Sequence, residues 1–248
     1  MQWKDALYDY QMYLKLEKRV SANTIEGYLL DIQKLINYSD KQPLDYTQDD
    51  LRDFIHTFAS SDYSIRSQAR VISGLKSFFG YLQLEDFRED NPTSLLETPK
   101  IGMKLPDVLS EKEIDKMIEV IDLSKQEGQR NRAIIEVLYG CGLRVSELIN
   151  LKISDLFFDD GFIRVIGKGN KQRLVPISDY TIKYINLYKE TVRVHVPIKE
   201  DFEDFLFLNR RGKSLTRVMI FTIVKELSII AGIKKTISPH TFRHSFAT

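Results

Sequence analysis

Three short stretches of this 248-residue chain combine residue types that could work together on an anion. In Ser238-Pro239-His240-Thr241-Phe242-Arg243-His244-Ser245-Phe246-Ala247-Thr248, a serine at the N-cap and a proline at the first helical position predict a helix start. His240, Arg243 and His244 then stand at i, i+3 and i+4 on one face. A guanidinium and two imidazoles beside a helix N-terminus suit a phosphate; an amphipathic helix with solvated charges would read the same way. Phe242 and Phe246, four residues apart, are expected to face the core. In Gly140-Cys141-Gly142-Leu143-Arg144-Val145-Ser146-Glu147, two glycines end one helix and turn the chain into another. Arg144 falls in the first turn of that new helix with Glu147 at i+3 able to hold it, either as part of an anion site or as an ordinary surface pair. Lys168 and Lys171 lie in Gly167-Lys168-Gly169-Asn170-Lys171, an expected hairpin tip, where they either seek a ligand or keep the turn soluble.

The elements that must position these residues follow from periodicity. Helices are predicted from Trp3 to Leu14, from an Asn23–Glu26 capping box through Ile36, from Thr47 with Asp50 through Phe58, and from Ser64 to Leu82. Together they make a helical bundle. Asn91-Pro92, Pro99, Gly102 and Pro106 break the pattern, so residues 91–106 read as a linker, with Lys100 and Lys104 as basic members. Beyond it come a helix from the Ser110–Glu113 capping box, one from Asn131 to Tyr139, strands at Phe162–Ile166 and Arg173–Ile177, a helix at Asp179–Val192, a short run Phe205–Leu208, the basic turn Asn209–Lys213, and a helix from Thr216 to Ala231. The fold class is mainly α with a small antiparallel β-sheet. An N-terminal helical domain spans 1–90, and a second, α+β domain spans 107–248.

Composition excludes several classes. Hydrophobic content of 43% and aromatic content of 11% are those of a globular chain. The N-terminus has no signal-peptide pattern and no apolar run reaches membrane-span length, so a cytoplasmic location is expected. The lone Cys141 excludes an internal disulfide and reads as a small core residue. Residues 1–100 carry 12 Lys and Arg against 16 Asp and Glu; the rest carry 24 against 19, a lean toward a polyanion partner in the second half. Asp49-Asp50 and Asp159-Asp160 read as cap or turn residues, and no metal site is expected.

As an ordered set, GCGLRVSEL, GKGNKQRLVPI and HTFRHSFAT resemble the catalytic domain of tyrosine recombinases of the bacterial Xer type. LFLNRRGKSLT and the NTIEGYLLDI segment of the first domain resemble the same family, so the likeness spans essentially the whole chain. The resemblance implies a SAM-like core-binding domain followed by the catalytic domain, and a site-specific recombinase that needs no cofactor. It joins DNA through a 3′-phosphotyrosyl link and acts in chromosome-dimer resolution or mobile-element integration and excision. By position, Arg144 and Arg243 grip the non-bridging oxygens of the scissile phosphate. Lys168 is the general acid to the leaving 5′ oxygen, and His240 is a general base or phosphate hydrogen-bond partner. Glu147 orients Arg144, and His244 packs or hydrogen-bonds nearby. Thr24, Tyr28, Ser67, Arg70 and Lys76 in the first domain, and Lys171, Arg173, Arg211 and Arg217 in the second, are implied DNA contacts, with both domains closing on the duplex. The partners implied are double-stranded DNA, further recombinase protomers in a tetramer, and a DNA translocase. The family's other histidine or tryptophan and its nucleophilic tyrosine follow the HTFRHSFAT segment, whereas this sequence stops at Thr248 and none of its twelve tyrosines stands in the matching place. The expectation is a C-terminally incomplete chain that binds DNA without cutting it; a non-catalytic DNA-binding regulator on the same scaffold is the alternative.

Overall fold

The structure, a computed structural model, describes residues 1–102 and 107–246, with Lys168 described through its backbone alone. Lys104, Pro106 and the last two positions of the terminal motif lie outside the described residues. The chain divides into two compact units, Met1–Met103 and Lys104–Thr248, each with its own core.

The first unit is built from α1 (Trp3–Leu16), α2 (Ala22–Ile36), α3 (Gln48–Ala59) and α4 (Ile65–Leu84). Apolar residues at helical spacing turn Ala6, Tyr10 and Leu14 of α1, Ile32 and Leu35 of α2, Leu51 and Phe54 of α3, and Leu75, Phe78, Phe79 and Leu82 of α4 into one core. Thr47 and Asp50 form the predicted capping box of α3, and Ser64 caps α4. The start of α2 differs from the sequence reading. Ser21 is the N-cap, its hydroxyl accepting from the Thr24 N–H, while Asn23 and Glu26 are already helical. Two cap-forming residues two positions apart gave the same local signal, and the extended backbone of Ser21 (ψ 147°) decides between them. Leu96, inside the stretch read as linker, is buried in this core.

The second unit holds α5 (Glu111–Glu119), α6 (Gly128–Gly140), α7 (Val145–Ile149), β1 (Leu156–Phe157), β2 (Phe162–Ile166), β3 (Gln172–Pro176), α8 (Asp179–Thr191), α9 (Arg217–Ile230) and α10 (Pro239–Phe246). The three strands pair antiparallel in the order β1-β2-β3. Two-residue β1 is too short to leave a periodic signal and was not anticipated. Across β2 and β3, Ile163 faces Val175 and Val165 faces Arg173, so these four side chains share the sheet face that lies on the core. The Ser110–Glu113 capping box opens α5, and Ser178 and Thr216 cap α8 and α9. Helix α6 starts at Gly128, one turn before the predicted Asn131. Cys141 is buried, and burial pushes its thiol up to about 12. Phe242 lies fully in the core, whereas Phe246 is 52% exposed, in contrast to the prediction for it. Phe246 covers the Gly142 backbone instead, its Cδ1 standing 2.5 Å from where a β-carbon of residue 142 would lie. No helix among the described residues is long and apolar enough to cross a membrane.

Candidate active site

The site is organised around a carboxylate. The turn Cys141-Gly142-Leu143 needs a left-handed residue, which Gly142 supplies at φ +57°. It delivers Arg144 to the N-cap position of α7 and puts Glu147 at the third helical position. Glu147 closes a capping box: its Oε2 accepts the Arg144 backbone N–H at 2.8 Å, and its Oε1 accepts Arg144 Nη1 at 2.9 Å. Arg173 reaches the same carboxylate from β3, Nη1 to Oε1 at 2.7 Å and Nη2 to Oε2 at 2.8 Å, a bidentate pair. Arg243 arrives from α10 with Nη1 4.0 Å from Oε2 and donating to the Gly142 carbonyl at 2.6 Å.

Glu147 is only 3% exposed. Burial alone would raise its pKa, but the hydrogen bonds from Arg173 and from the Arg144 backbone and side chain outweigh it and hold the carboxyl at about 2. Arg243 is lowered, first by burial and then by the charges of Arg144 and Arg173, with Glu147 opposing. Three guanidinium groups therefore sense one another around a single negative charge. Among the described residues one carboxylate faces these three cations, and Arg144, at 46% side-chain exposure, still opens to solvent. Planar donors in this number and at this charge excess can hold a tetrahedral oxyanion such as a phosphate.

The hairpin β2–β3 meets this cluster at its base. Gly167 donates its N–H to the Lys171 carbonyl at 2.8 Å, and a β-carbon there would lie 3.4 Å from both Arg173 Nη1 and Glu147 Oε1. Lys168 follows immediately in a tight turn with Gly169 at φ +72°; its side chain lies outside what is described. His240 is exposed one turn before Arg243 on α10, and its side chain hydrogen-bonds no described residue. His244 is exposed one residue past Arg243. Ser238 stands just ahead of α10, where its N–H donates to Thr241 Oγ1 at 3.1 Å. Ser245 Oγ accepts the Leu109 N–H at 2.7 Å, tying this helix to the start of the unit.

Other residues expected at DNA fall in two sets. In the second unit, Lys171, Arg211 and Arg217 are exposed, the last in the first turn of α9, and Arg211 donates its N–H to Asn209 Oδ1 at 2.8 Å in the basic turn. Arg173 is bonded to Glu147 and keeps 35% side-chain exposure. In the first unit, Asp31 is fully buried and its Oδ1 pairs with Lys34 at 2.8 Å and Arg70 at 2.9 Å, while Arg70 keeps 51% side-chain exposure. Thr24 shares a hydroxyl contact with Ser21 at 2.8 Å, Ser67 shares one with Ser64 at 2.9 Å, and Tyr28 and Lys76 are half-buried on α2 and α4. Asp31 and the site position of Arg173 escaped the sequence reading. Arg173 carried a usable signal, since it alternates with Val175 and Ile177 and so belongs to the inward face of its strand. Asp50 serves the α3 cap, and Asp159 and Asp160 lead into the turn at Gly161.

Residues 107–248 match the phage integrase family, and residues 7–86 match the phage integrase N-terminal SAM-like domain. The tyrosine recombinases XerD of Staphylococcus haemolyticus and Staphylococcus epidermidis are 38% and 40% identical over 244 residues, covering 97% of this chain and 82% of each relative. A crystal structure of the XerH site-specific recombinase bound to its difH substrate, a pre-cleavage complex, superposes at a TM-score of 0.72 with 25% identity, over 90% of this chain and 68% of that one. A lambda integrase dimer on a COC′ core site shares the fold, with a TM-score of 0.77 at 17% identity, over 100% of this chain and 89% of that one. The chain belongs to the phage integrase family and, within it, to the Xer-type tyrosine recombinases, enzymes that cut and rejoin DNA at specific sites.

Proposed function

We propose that the second unit holds one DNA phosphodiester at the Glu147-centred cluster and promotes its transfer to a tyrosine hydroxyl and back to a DNA hydroxyl. The observation that carries this is the convergence of Arg144, Arg173 and Arg243 on a single buried carboxylate, which leaves a charge excess of the right sign at one point. In the forward step the tyrosine oxygen bonds to phosphorus and the bond to the 5′ oxygen breaks. Arg144 and Arg243 take the charge that grows on the non-bridging oxygens. Lys168 gives a proton to the departing 5′ oxygen, and His240 accepts the tyrosine proton or hydrogen-bonds the phosphate. The reverse step uses a 5′ hydroxyl of a partner strand, so no bond energy is lost and no cofactor is called upon. Double-stranded DNA and further recombinase protomers are the partners. Lys171, Arg211 and Arg217 in the second unit, and Thr24, Tyr28, Ser67, Arg70 and Lys76 in the first, contribute contacts that position the duplex. Chromosome-dimer resolution, with a DNA translocase acting on the same complex, and mobile-element integration or excision are the two biological settings for this chemistry.

A second reading has one observation in its favour. Among the described residues no tyrosine hydrogen-bonds Arg144, Arg173, Arg243 or Glu147. A regulator that occupies the site without cutting would need none. The test is incubation of the protein, as the cell makes it, with duplexes nicked beside the target phosphate. The enzyme reading expects a covalent protein–DNA adduct whose mass maps to a tyrosine, absent in Arg243→Ala although most duplex affinity remains. Affinity that falls steeply with salt and yields no adduct would favour the regulator, and affinity indifferent to salt would overturn both readings.

A further inference from the structure

Lys168 stands in a single 3-10 turn, Lys168–Asn170, at the tip of the β2–β3 hairpin. A backbone bond from the Gly167 N–H to the Lys171 carbonyl at 2.8 Å closes its base, and both Gly169 and Asn170 sit at positive φ. A proton donor needs a fixed distance to its acceptor, so something outside the turn must set it. Arg173 is the residue in place to do so. It faces Val165 across the ladder, which aims its side chain at the core face, and there it takes both oxygens of Glu147. Glu147 is in turn fixed to the Arg144 backbone and side chain. Gly167 rests on this pair with no side chain between, since a β-carbon would stand 3.4 Å from each partner. One carboxylate thus joins the base of the hairpin to the turn that presents Arg144.

We propose that Arg173 is a positioning residue: its bidentate bond to Glu147 latches the hairpin in register with Arg144, so that Lys168 is presented to the phosphate. This rests on the phosphoryl-transfer reading given above. A contact from Arg173 to the DNA backbone is compatible with this latch, because two of its five N–H donors hold Glu147 and its side chain keeps 35% exposure. Lysine cannot stand in for it, because a single ammonium does not span two carboxylate oxygens in one plane.

The test compares Arg173→Gln and Arg173→Lys with wild type in the protein as the cell makes it, on two duplexes. One carries the ordinary scissile phosphodiester; the other carries sulfur in place of the bridging 5′ oxygen, so that the leaving group departs as a thiolate without needing a proton. Loss of general-acid positioning predicts that both variants cut the ordinary duplex on the order of a hundredfold more slowly. On the sulfur duplex they should stay within a few-fold of wild type. Equal slowing on both duplexes, or none on either, overturns the proposal. A second arm needs no cutting: hydrogen exchange at the Gly167 amide should quicken in both variants while the amides of Ile163 and Val175 keep their protection. Should Arg173→Gln lose the whole ladder, Arg173→Lys is the variant that decides, and an unchanged Gly167 amide there sinks the latch. If wild type cuts neither duplex, the phosphoryl-transfer reading fails while the exchange arm still judges the latch.

Discussion

Replacing Glu147 with glutamine should unbalance the whole second unit, by an amount that can be worked out. The carboxyl is drawn from its ordinary 4.5 to about 2 by Arg173 and Arg144 despite burial. A displacement of that size corresponds to roughly 3 kcal/mol of stability in the ionised, folded state. The sign follows from the direction. A carboxyl depressed by folding contributes fully above its unfolded value and loses the contribution as pH falls from 4.5 toward 2. Breaking a buried pair by removing one partner usually costs 3–5 kcal/mol, and the partly exposed arginines place this case near the bottom, at about 3 kcal/mol. Glutamine keeps the shape but turns an amide donor toward guanidinium donors, so no new bond offsets the loss. Denaturant unfolding followed by circular dichroism should show the second unit's transition weakened at neutral pH. The sole tryptophan, Trp3, packs on Phe78 and Tyr46 in the first unit, so its fluorescence should report an unmoved transition there. Because acid protonates Glu147 in the wild type, the two proteins should converge as pH approaches 2. A neutral-pH difference below about 0.5 kcal/mol, typical of a surface change, would refute the reasoning. So would a gap that stays constant with pH.

Two further substitutions probe the supports. Asp31→Asn removes the carboxylate charge that Lys34 and Arg70 share. It should cost the first unit about 2 kcal/mol by Trp3 fluorescence and lower duplex affinity through a wandering Arg70, and unchanged values in both measurements would remove Asp31 from the argument. Gly142→Ala meets φ +57° and a ring carbon 2.5 Å from its new methyl, and should destabilise the second unit by about 1–3 kcal/mol while displacing the carbonyl that Arg243 grips. A variant as stable as wild type would mean that Phe246 simply swings away.

Helix positions were legible because burial and period coincide. Thr47 with Asp50 and Ser110 with Glu113 each named a start that the structure keeps. Where a local signal was doubled, as at Ser21 and Asn23, only the backbone angle settles the start, and that is not written in residue type. Arg144 and Glu147 could be paired from spacing alone, since i and i+3 meet on any helix. That Arg173 and Arg243 join them depends on contacts 26 and 101 residues apart. No local rule reaches so far. Phe246 illustrates the opposite failure: helical spacing gave it the same face as Phe242, but its ring lies over the buried Gly142 backbone while half of its own surface stays in solvent.

The bonds from Arg243 to Gly142 and from Ser245 to Leu109 also govern when the second unit can form during synthesis. Helices α5 and α6 leave the ribosome early and are too short to hold without a partner, and the polypeptide must run on to Phe242 before that core position is filled. Until then Gly142 lacks its cover and Arg144 and Arg173 share Glu147 without their third companion. Between the synthesis of Arg173 and that of Arg243 a nascent chain therefore carries an unfinished anion cradle, and the cradle closes by a long-range contact rather than by stepwise growth.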